Sequence, residues 1–173
     1  MYFAVYIILA VFLGVLLIMI IPFGITFFTG APFLPSLKGH VKTMLELAEL
    51  RPEDRVVDLG SGSGTLMIAA AREGAERIDG FELNPILAWY SVLRIKSGVG
   101  RNKNMRVYKR NLFSAKLGQY DVIFVFGINT MMKKLERKIR QEARPGTRII
   151  SNTFSLPGMK PDKKVGNIIR YII

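Results

Sequence analysis

The 173-residue chain contains no cysteine and only one histidine, His40. Without thiols it can form no disulfide and no thiolate metal site, and it lacks the nucleophile of cysteine-dependent enzymes. A single imidazole is also too few for a zinc site built on histidine ligands. The composition therefore predicts a protein without a metal site.

Acidic residues are scarce, since 13 Asp and Glu face 25 Lys and Arg, and the formal net charge is +12. A balance this basic favours anionic partners, namely nucleic acid, anionic lipid or an acidic protein surface. Charge of either sign is absent before Lys38. The chain thus divides into an uncharged N-terminal stretch and a basic remainder.

The uncharged stretch is almost wholly apolar over residues 2–28. It is longer than the roughly 20 residues that cross a bilayer as a helix. It lacks the basic start, the shorter apolar core and the small-residue cleavage site of a secretory signal peptide. We therefore predict a transmembrane helix at residues 1–28 of a single-pass protein in the cell membrane. Because every Lys and Arg follows this helix, the positive-inside rule predicts a cytoplasmic location for residues 38–173.

A connector is predicted at residues 29–37, where two prolines and a glycine favour a stiff, extended chain. Residues 38–173 are numerous enough for one hydrophobic core and are predicted to form one domain. Short strands alternate there with helices, which predicts an α/β, Rossmann-like, doubly wound and mostly parallel sheet. The pair Gly166-Asn167 between two apolar runs predicts a C-terminal antiparallel hairpin. The five preceding strands are predicted at residues 55–59, 77–82, 105–109, 120–126 and 147–152.

A glycine-rich loop, Asp58-Leu59-Gly60-Ser61-Gly62-Ser63-Gly64, follows the first predicted strand. Glycines let a backbone approach a ligand closely, and the next helix offers free N–H groups at its N-terminus. The spacing does not fit the Gly-x-Gly-x-x-Gly of nicotinamide dinucleotide sites. Glu82 ends the second strand, where a carboxylate can accept hydrogen bonds from both hydroxyls of a ribose. Together these features favour a nucleoside-cofactor site over a purely structural turn.

This loop resembles the Asp-x-Gly-x-Gly-x-Gly turn of class I S-adenosylmethionine-dependent methyltransferases. The resemblance implies that S-adenosylmethionine is the cofactor and that Asn111, after the third strand, contacts its adenine. Such enzymes usually carry an acidic residue at that position, so an ordinary loop asparagine is the alternative. The predicted cofactor-binding residues are Asp58, Gly60, Ser61, Gly62, Gly64, Glu82, Leu83, Asn111 and Leu112.

Missing motifs narrow the choice of methyl acceptor. Base-amine methyltransferases carry Asn/Asp-Pro-Pro-Tyr after strand four, where this chain has Phe126-Gly127-Ile128-Asn129. Cytosine-C5 enzymes need a cysteine, and arginine methyltransferases need two glutamates that this segment lacks. Metal-dependent catechol-type enzymes need clustered Asp and Asn ligands near strand four, whereas Asp121 stands alone there. A lysine amine needs only to lose its proton and to align with the methyl group, which makes it the favoured acceptor.

More narrowly, the chain resembles a family of membrane-anchored protein-lysine methyltransferases whose mitochondrial members modify the ATP synthase c-subunit and the adenine nucleotide translocase. The resemblance covers nearly all of residues 30–173, although Ser63, Asn111 and Asn129-Thr130 depart from the family pattern. It implies methyl transfer to a lysine of a membrane protein at a lipid bilayer. It also implies catalytic roles for Phe126 and Asn129 and acceptor contacts from Pro35, Ser36, Phe126 and Asn129. Its carriers are Pro32-Phe33-Leu34-Pro35-Ser36, Val57-Asp58-Leu59-Gly60-Ser61-Gly62, Glu82-Leu83-Asn84-Pro85, the segment 126–132 and the segment 154–161.

Other interpretations of the sequence remain. The acceptor can instead be a lipid, a quinone or another membrane-soluble small molecule, or the chain can be a catalytically silent, cofactor-binding interaction subunit. The basic run at residues 94–110 can bind RNA, but no RNA-recognition module accompanies it, so nucleic acid is not the predicted partner. Trp89, in the helix predicted after Pro85, is expected to pack in the core.

Overall fold

The computed structural model describes residues 2–29, 38–99, 104–127 and 129–173. Pro35 and Ser36, two predicted acceptor residues, lie outside the described residues, as does most of the predicted connector. The division of the chain into residues 1–28, 29–37 and 38–173 therefore stays a prediction.

The N-terminal segment forms the helix α1 (Tyr2–Thr29), which carries no charged residue. Its side chains are described over residues 3–18 and at Ile20, and most of them are exposed. None of the helices in the described part of the chain meets the combined length and apolarity needed to cross a membrane. The transmembrane helix predicted at residues 1–28 is thus not supported by the structure.

The described part of residues 38–173 contains one seven-stranded sheet. Its strands are β1 (Arg55–Leu59), β2 (Arg77–Phe81), β3 (Met105–Tyr108), β4 (Val122–Phe126), β5 (Arg148–Asn152), β6 (Lys163–Val165) and β7 (Ile168–Ile172). The order across the sheet is β3-β2-β1-β4-β5-β7-β6, and β1 to β5 are parallel. The final strand, β7, runs antiparallel between β5 and β6. The predicted mostly parallel sheet with a C-terminal hairpin is confirmed.

Four helices in the described part of the domain cover the sheet: α2 (Lys38–Ala48), α3 (Thr65–Arg72), α4 (Pro85–Gly98) and α5 (Asn129–Glu142). The helix predicted after Pro85 is α4. Asn84 explains the start of α4, because its side-chain Oδ1 accepts hydrogen bonds from the N–H groups of Ile86 and Leu87 at 2.9 and 3.3 Å. Pro85 then occupies the first helical position, where its fixed φ suits a helix.

Each face of the sheet has its own hydrophobic core. One core lies between the sheet and α2, α3 and α4, and Val56 of β1 belongs to it. The neighbouring Val57 points to the opposite core, which α5 covers with the fully buried Met132, Leu135 and Ile139. This alternation is expected for a strand in a sheet that is covered on both sides.

Trp89 corrects one sequence-based expectation, because its side chain is 65% exposed. The helix α4 faces the sheet through Ala88, Ser91 and Ile95, which are all buried. Trp89 lies on the opposite side of the same helix, since residues three and four apart share a helix face. The prediction that Trp89 packs in the core is therefore wrong.

Candidate functional site

The glycine-rich loop connects β1 to α3 through three residues with positive φ. Gly60, Gly62 and Gly64 have φ values of 97°, 51° and 73°, a region that side-chain-bearing residues rarely adopt. The N–H groups of Gly60 and Ser61 both donate to the carbonyl oxygen of Phe81, at 2.9 and 3.1 Å. These bonds fold the loop over the carboxyl end of β2.

Glu82 lies directly after β2 and is 8% exposed. Its Oε2 accepts a hydrogen bond from the Gly62 N–H at 2.8 Å, and its Oε1 accepts one from the Asn84 N–H at 2.7 Å. Its own N–H donates to the carbonyl of Tyr108 at 3.0 Å. An ionised carboxylate has about four lone-pair positions, so each oxygen can still accept a further hydrogen bond from a ligand hydroxyl.

Asp58, in β1, is the second carboxyl group near the loop, and it is 6% exposed. Burial raises the pKa of the Asp58 carboxyl to about 7, and the charge of Glu82 adds to the increase. A positively charged ligand group beside Asp58 would favour its ionised form. Two buried carboxyls next to a glycine-rich loop therefore suit a ligand that offers hydroxyls and positive charge, as S-adenosylmethionine does.

Ser61 does not point into the site with its side chain. The Ser61 Oγ is buried and has no hydrogen-bond partner among the described residues. A Cβ added at Gly80 would lie 2.8 Å from this Oγ and would also meet the sulfur of Met67. Ser61 is thus packed beneath the loop against β2 and α3, so any contact that it makes with a cofactor comes from its backbone.

Asn111 follows β3 at the same edge of the sheet, and it is exposed. Its Oδ1 accepts a hydrogen bond from the Phe113 N–H at 3.0 Å, which caps the short 3₁₀ turn Leu112–Ser114. This contact is that of an ordinary loop asparagine, and one lone pair of Oδ1 remains for another donor. The predicted contact between Asn111 and an adenine stays a prediction.

A different kind of surface lies at the ends of β4 and β5. The rings of Phe126 and Phe154 are 6.4 Å apart between centroids, with an angle of 50° between their planes. Gly127 is packed so tightly that an added Cβ would lie 2.7 Å from the sulfur of Met132. Asn129 is the first residue of α5, but its side chain lies outside the described residues. Phe154 was not predicted as a site residue, since it is far from Phe126 in sequence.

The two surfaces meet where the strand order reverses, between β1 and β4. Gly60 lies close to this junction, since a Cβ on Gly60 would be 3.8 Å from the carbonyl oxygen of Phe126. In open α/β sheets, ligands bind at this switch point, outside the carboxyl ends of the strands. The structure therefore brings the predicted cofactor residues of β1 and β2 beside the predicted acceptor residue Phe126.

Solved structures define the class of protein that has this fold and site. An RNA methyltransferase from Salinibacter ruber, crystallised with S-adenosyl-L-homocysteine, superposes with a TM-score of 0.77 and 28% identity. That similarity covers 81% of this chain and 94% of the other. A methyltransferase from Thiobacillus denitrificans has a TM-score of 0.59 at 21% identity, which shows the fold alone. The fold is that of S-adenosylmethionine-dependent methyltransferases.

Residues 58–163 match the model of the ANTKMT methyltransferase domain, and the chain belongs to this family. The Xenopus laevis lysine N-methyltransferase of the ATP synthase c-subunit is 37% identical over 136 residues. The match covers 78% of this chain and 58% of the frog protein, so the chain spans little more than half of that relative. A Saccharolobus islandicus protein-lysine N-methyltransferase is 28% identical, with 78% and 83% covered. The family resemblance predicted from sequence is confirmed.

Proposed function

We propose that this chain is an S-adenosylmethionine-dependent protein-lysine N-methyltransferase that acts on a membrane protein. The observation that carries the proposal is the Glu82 carboxylate, which the Gly62 and Asn84 N–H groups hold after β2, one strand away from the switch point of a methyltransferase fold. The names of the frog and archaeal relatives support lysine as the acceptor. A mouse relative named adenine nucleotide translocase lysine N-methyltransferase, 30% identical over 135 residues, supports a membrane protein as the substrate.

When bound, the cofactor supplies an electrophilic methyl group on a positively charged sulfonium. Glu82 accepts hydrogen bonds from the ribose hydroxyls through its remaining lone pairs. Asp58 offers a buried carboxyl group, which ionises more readily beside a cation. The positive-φ glycines remove the side chains that would otherwise separate the backbone from the ligand.

On the acceptor side, the lysine amine must be neutral before it can react. Phe126 and Phe154 form an apolar wall, which favours the uncharged amine because desolvation lowers the pKa of a lysine. For Asn129, the first residue of α5, we propose the role of orienting that amine. The protein then contributes alignment of the two reactants rather than a covalent intermediate.

The same proposal includes a membrane location, with α1 as a single-pass anchor and residues 38–173 in the cytoplasm. Its support is that the described side chains of α1 are apolar and exposed all around the helix, which does not suit a helix in water. Anchoring would raise the effective concentration of membrane-protein substrates at the site.

Since the chain lacks cysteine, Glu53→Cys provides a single thiol for labelling. We expect a membrane-impermeant maleimide to label it only after cells are permeabilised, and labelling of intact cells would contradict the cytoplasmic location.

The activity is tested with the full chain in detergent, radiolabelled S-adenosylmethionine and membranes from a strain that lacks the protein. Label is followed separately into protein, lipid and RNA fractions. We expect it in one small membrane protein and, after hydrolysis, in methyl-lysine. Label in lipid or RNA would support a methyltransferase whose acceptor is not lysine. Cofactor binding without transfer to any fraction would instead identify a silent binding subunit.

A further inference from the structure

The outward surface of α4 is apolar. Four large side chains are exposed on it: Ile86 by 50%, Trp89 by 65%, Tyr90 by 48% and Leu93 by 43%. Their spacing of three, four and seven residues places them on one side of the helix. We call these four residues the α4 apolar face.

The α4 apolar face is not buried by the described part of the domain. The opposite side of α4 already buries Ala88, Ser91 and Ile95 against the sheet, so the helix is apolar on both sides. Within the described part of residues 38–173, the other exposed large apolar side chains are Val165 and Ile172, on the C-terminal hairpin. A contiguous exposed apolar patch usually marks an interaction surface rather than a structural one.

The part of the sequence that contains the α4 apolar face is strongly basic. Residues 83–120 contain eight Lys and Arg and no Asp or Glu. Arg94 lies beside the face, with its guanidinium carbon 5.8 Å from the centre of the Tyr90 ring. Arg94 and Arg72 also line a groove of about 260 Å³ between α3 and α4. Lys96, one turn beyond Leu93, is exposed.

We propose that the α4 apolar face docks on the surface of an anionic lipid bilayer. Trp89 and Tyr90 are the residue types that prefer the headgroup level, and Ile86 and Leu93 can enter the acyl boundary beside them. The basic residues beside the face, such as Arg94 and Lys96, complement anionic headgroups, and each charge near the surface adds to the attraction. A nucleic-acid surface fits less well, because aliphatic side chains do not stack on bases.

Docking through this face affects the site as well. Arg94 donates hydrogen bonds to the Ser63 carbonyl at 2.9 Å and to the Thr65 hydroxyl at 2.8 Å, so α4 is tied to the glycine-rich loop. The helix also begins directly after Asn84, whose N–H holds Glu82. A bilayer against α4 therefore keeps the site next to the membrane. This inference extends the proposed membrane substrate, but the docking can be tested without any activity.

Trp89 is the only tryptophan of the chain and reports on the face directly. The full-length protein is mixed with vesicles of phosphatidylcholine or of phosphatidylcholine with phosphatidylglycerol, with and without brominated acyl chains. We expect a blue-shifted emission on the anionic vesicles, quenching by the brominated lipid and a several-fold decrease in quenching by aqueous acrylamide. Equal acrylamide access on both kinds of vesicle, with no bromine quenching, would overturn the inference.

Matched variants distinguish docking through the α4 apolar face from non-specific binding of the protein to vesicles. Leu93→Glu adds a charge to the face and keeps Trp89, and we expect it to remove the blue shift. Val165→Glu adds the same charge at a similar exposure, 53%, on β6, and we expect it to leave the shift intact. Equal loss in both variants, or a shift that needs RNA or protein self-association instead of lipid, would refute lipid docking.

Extraction of the protein from membranes at alkaline pH tests anchoring by α1 separately from docking through the α4 apolar face. Protein that is extracted, but whose Trp89 still shifts on anionic vesicles, would refute the anchor and support the face. Protein that resists extraction, but whose Trp89 remains in water, would support the anchor and refute docking through the α4 apolar face.

Discussion

The two halves of the proposed site hold their residues in different ways. At the ends of β1 and β2, the cofactor half, directional hydrogen bonds fix Glu82 between Gly62 and Asn84. At the ends of β4 and β5, the acceptor half, hydrogen bonds such as that from the Ser151 hydroxyl to the Phe154 carbonyl fix the backbone, whereas the side chains of Phe126 and Phe154 meet through ring packing. These two rings can change without disturbing the hydrogen bonds that hold Glu82. The comparison thus explains how one cofactor half can serve enzymes with different acceptors.

The largest expected effect is on the cofactor half. We expect Glu82→Ala to weaken binding of S-adenosylmethionine by about 100-fold or more, because it removes two charge-assisted hydrogen bonds of about 1.5–3 kcal/mol each. Calorimetry on the full chain measures the affinity. The control is Glu53→Ala, at an exposed position before β1, which should bind normally. Unchanged affinity in Glu82→Ala would show that Glu82 does not bind the ribose of the cofactor.

The second prediction concerns pH and the buried Asp58. Its pKa rises from an ordinary value of 3.8 to about 7 in the folded protein, so the folded state binds more protons than the unfolded state between these values. The free energy of unfolding of the cofactor-free protein should therefore fall as the pH rises from about 4 to 7. We expect Asp58→Asn to be more stable than the parent by about 2–4 kcal/mol at pH 8, the upper value corresponding to the full difference between the two pKa values of Asp58.

Urea denaturation at several pH values checks this expectation. The difference between Asp58→Asn and the parent should disappear near pH 4, where both carry a neutral group. A difference that is constant with pH would mean that Asp58 does not titrate as the structure implies. Saturating S-adenosylmethionine should reduce the pH dependence of the parent protein, because a cation beside Asp58 lowers its pKa.

The third prediction tests whether the halves are independent. We expect Phe126→Ala to lower kcat/KM for the protein acceptor about tenfold, because aromatic packing contributes about 0.5–1.5 kcal/mol. Its affinity for the cofactor should not change. Phe154→Ala should have a similar effect, and the double variant should lose less than the sum because the rings contact each other. A parallel loss of cofactor affinity would show that the two halves act together.

The smallest effect is expected at Asn111. One neutral hydrogen bond contributes about 0.5–1.5 kcal/mol, so Asn111→Ala should weaken cofactor binding only several-fold. Asn111→Asp restores an acceptor oxygen and should bind as well as the parent or better. If Asn111→Ala lowers the melting temperature but leaves the affinity unchanged, the residue only caps the turn at Leu112–Ser114.

Much of the fold follows from local patterns in the sequence. The loop at Asp58 and Gly60, the strand end at Glu82 and the Asn84-Pro85 helix start carry their own signals, and the structure brings them together at one edge of the sheet. In α5 the local pattern also identifies the inward side of the helix, because the outward side is charged and one apolar stripe remains.

The failures have physical causes too. Trp89 was misplaced because α4 is apolar on both sides, so its periodicity does not reveal which side meets the sheet. The pairing of Phe154 with Phe126 depends on two parallel strands ending side by side, which spacing in sequence does not encode. The Ser61 side chain lies beneath the loop because Gly80 leaves room for it, a contact between distant residues. Local signals thus predict elements, whereas contacts between elements need the fold.

The position of β7 sets an order of events during synthesis. This strand lies between β5 and β6, although β6 precedes it in sequence, and Ile173, directly after it, accepts a hydrogen bond from the Gly146 N–H at 2.7 Å. Until β7 is made, one edge of β5 is unpaired and open to pairing with other chains, and β6 lacks the strand that it pairs with. The last two strands of the sheet therefore join it together, when β7 has been synthesised.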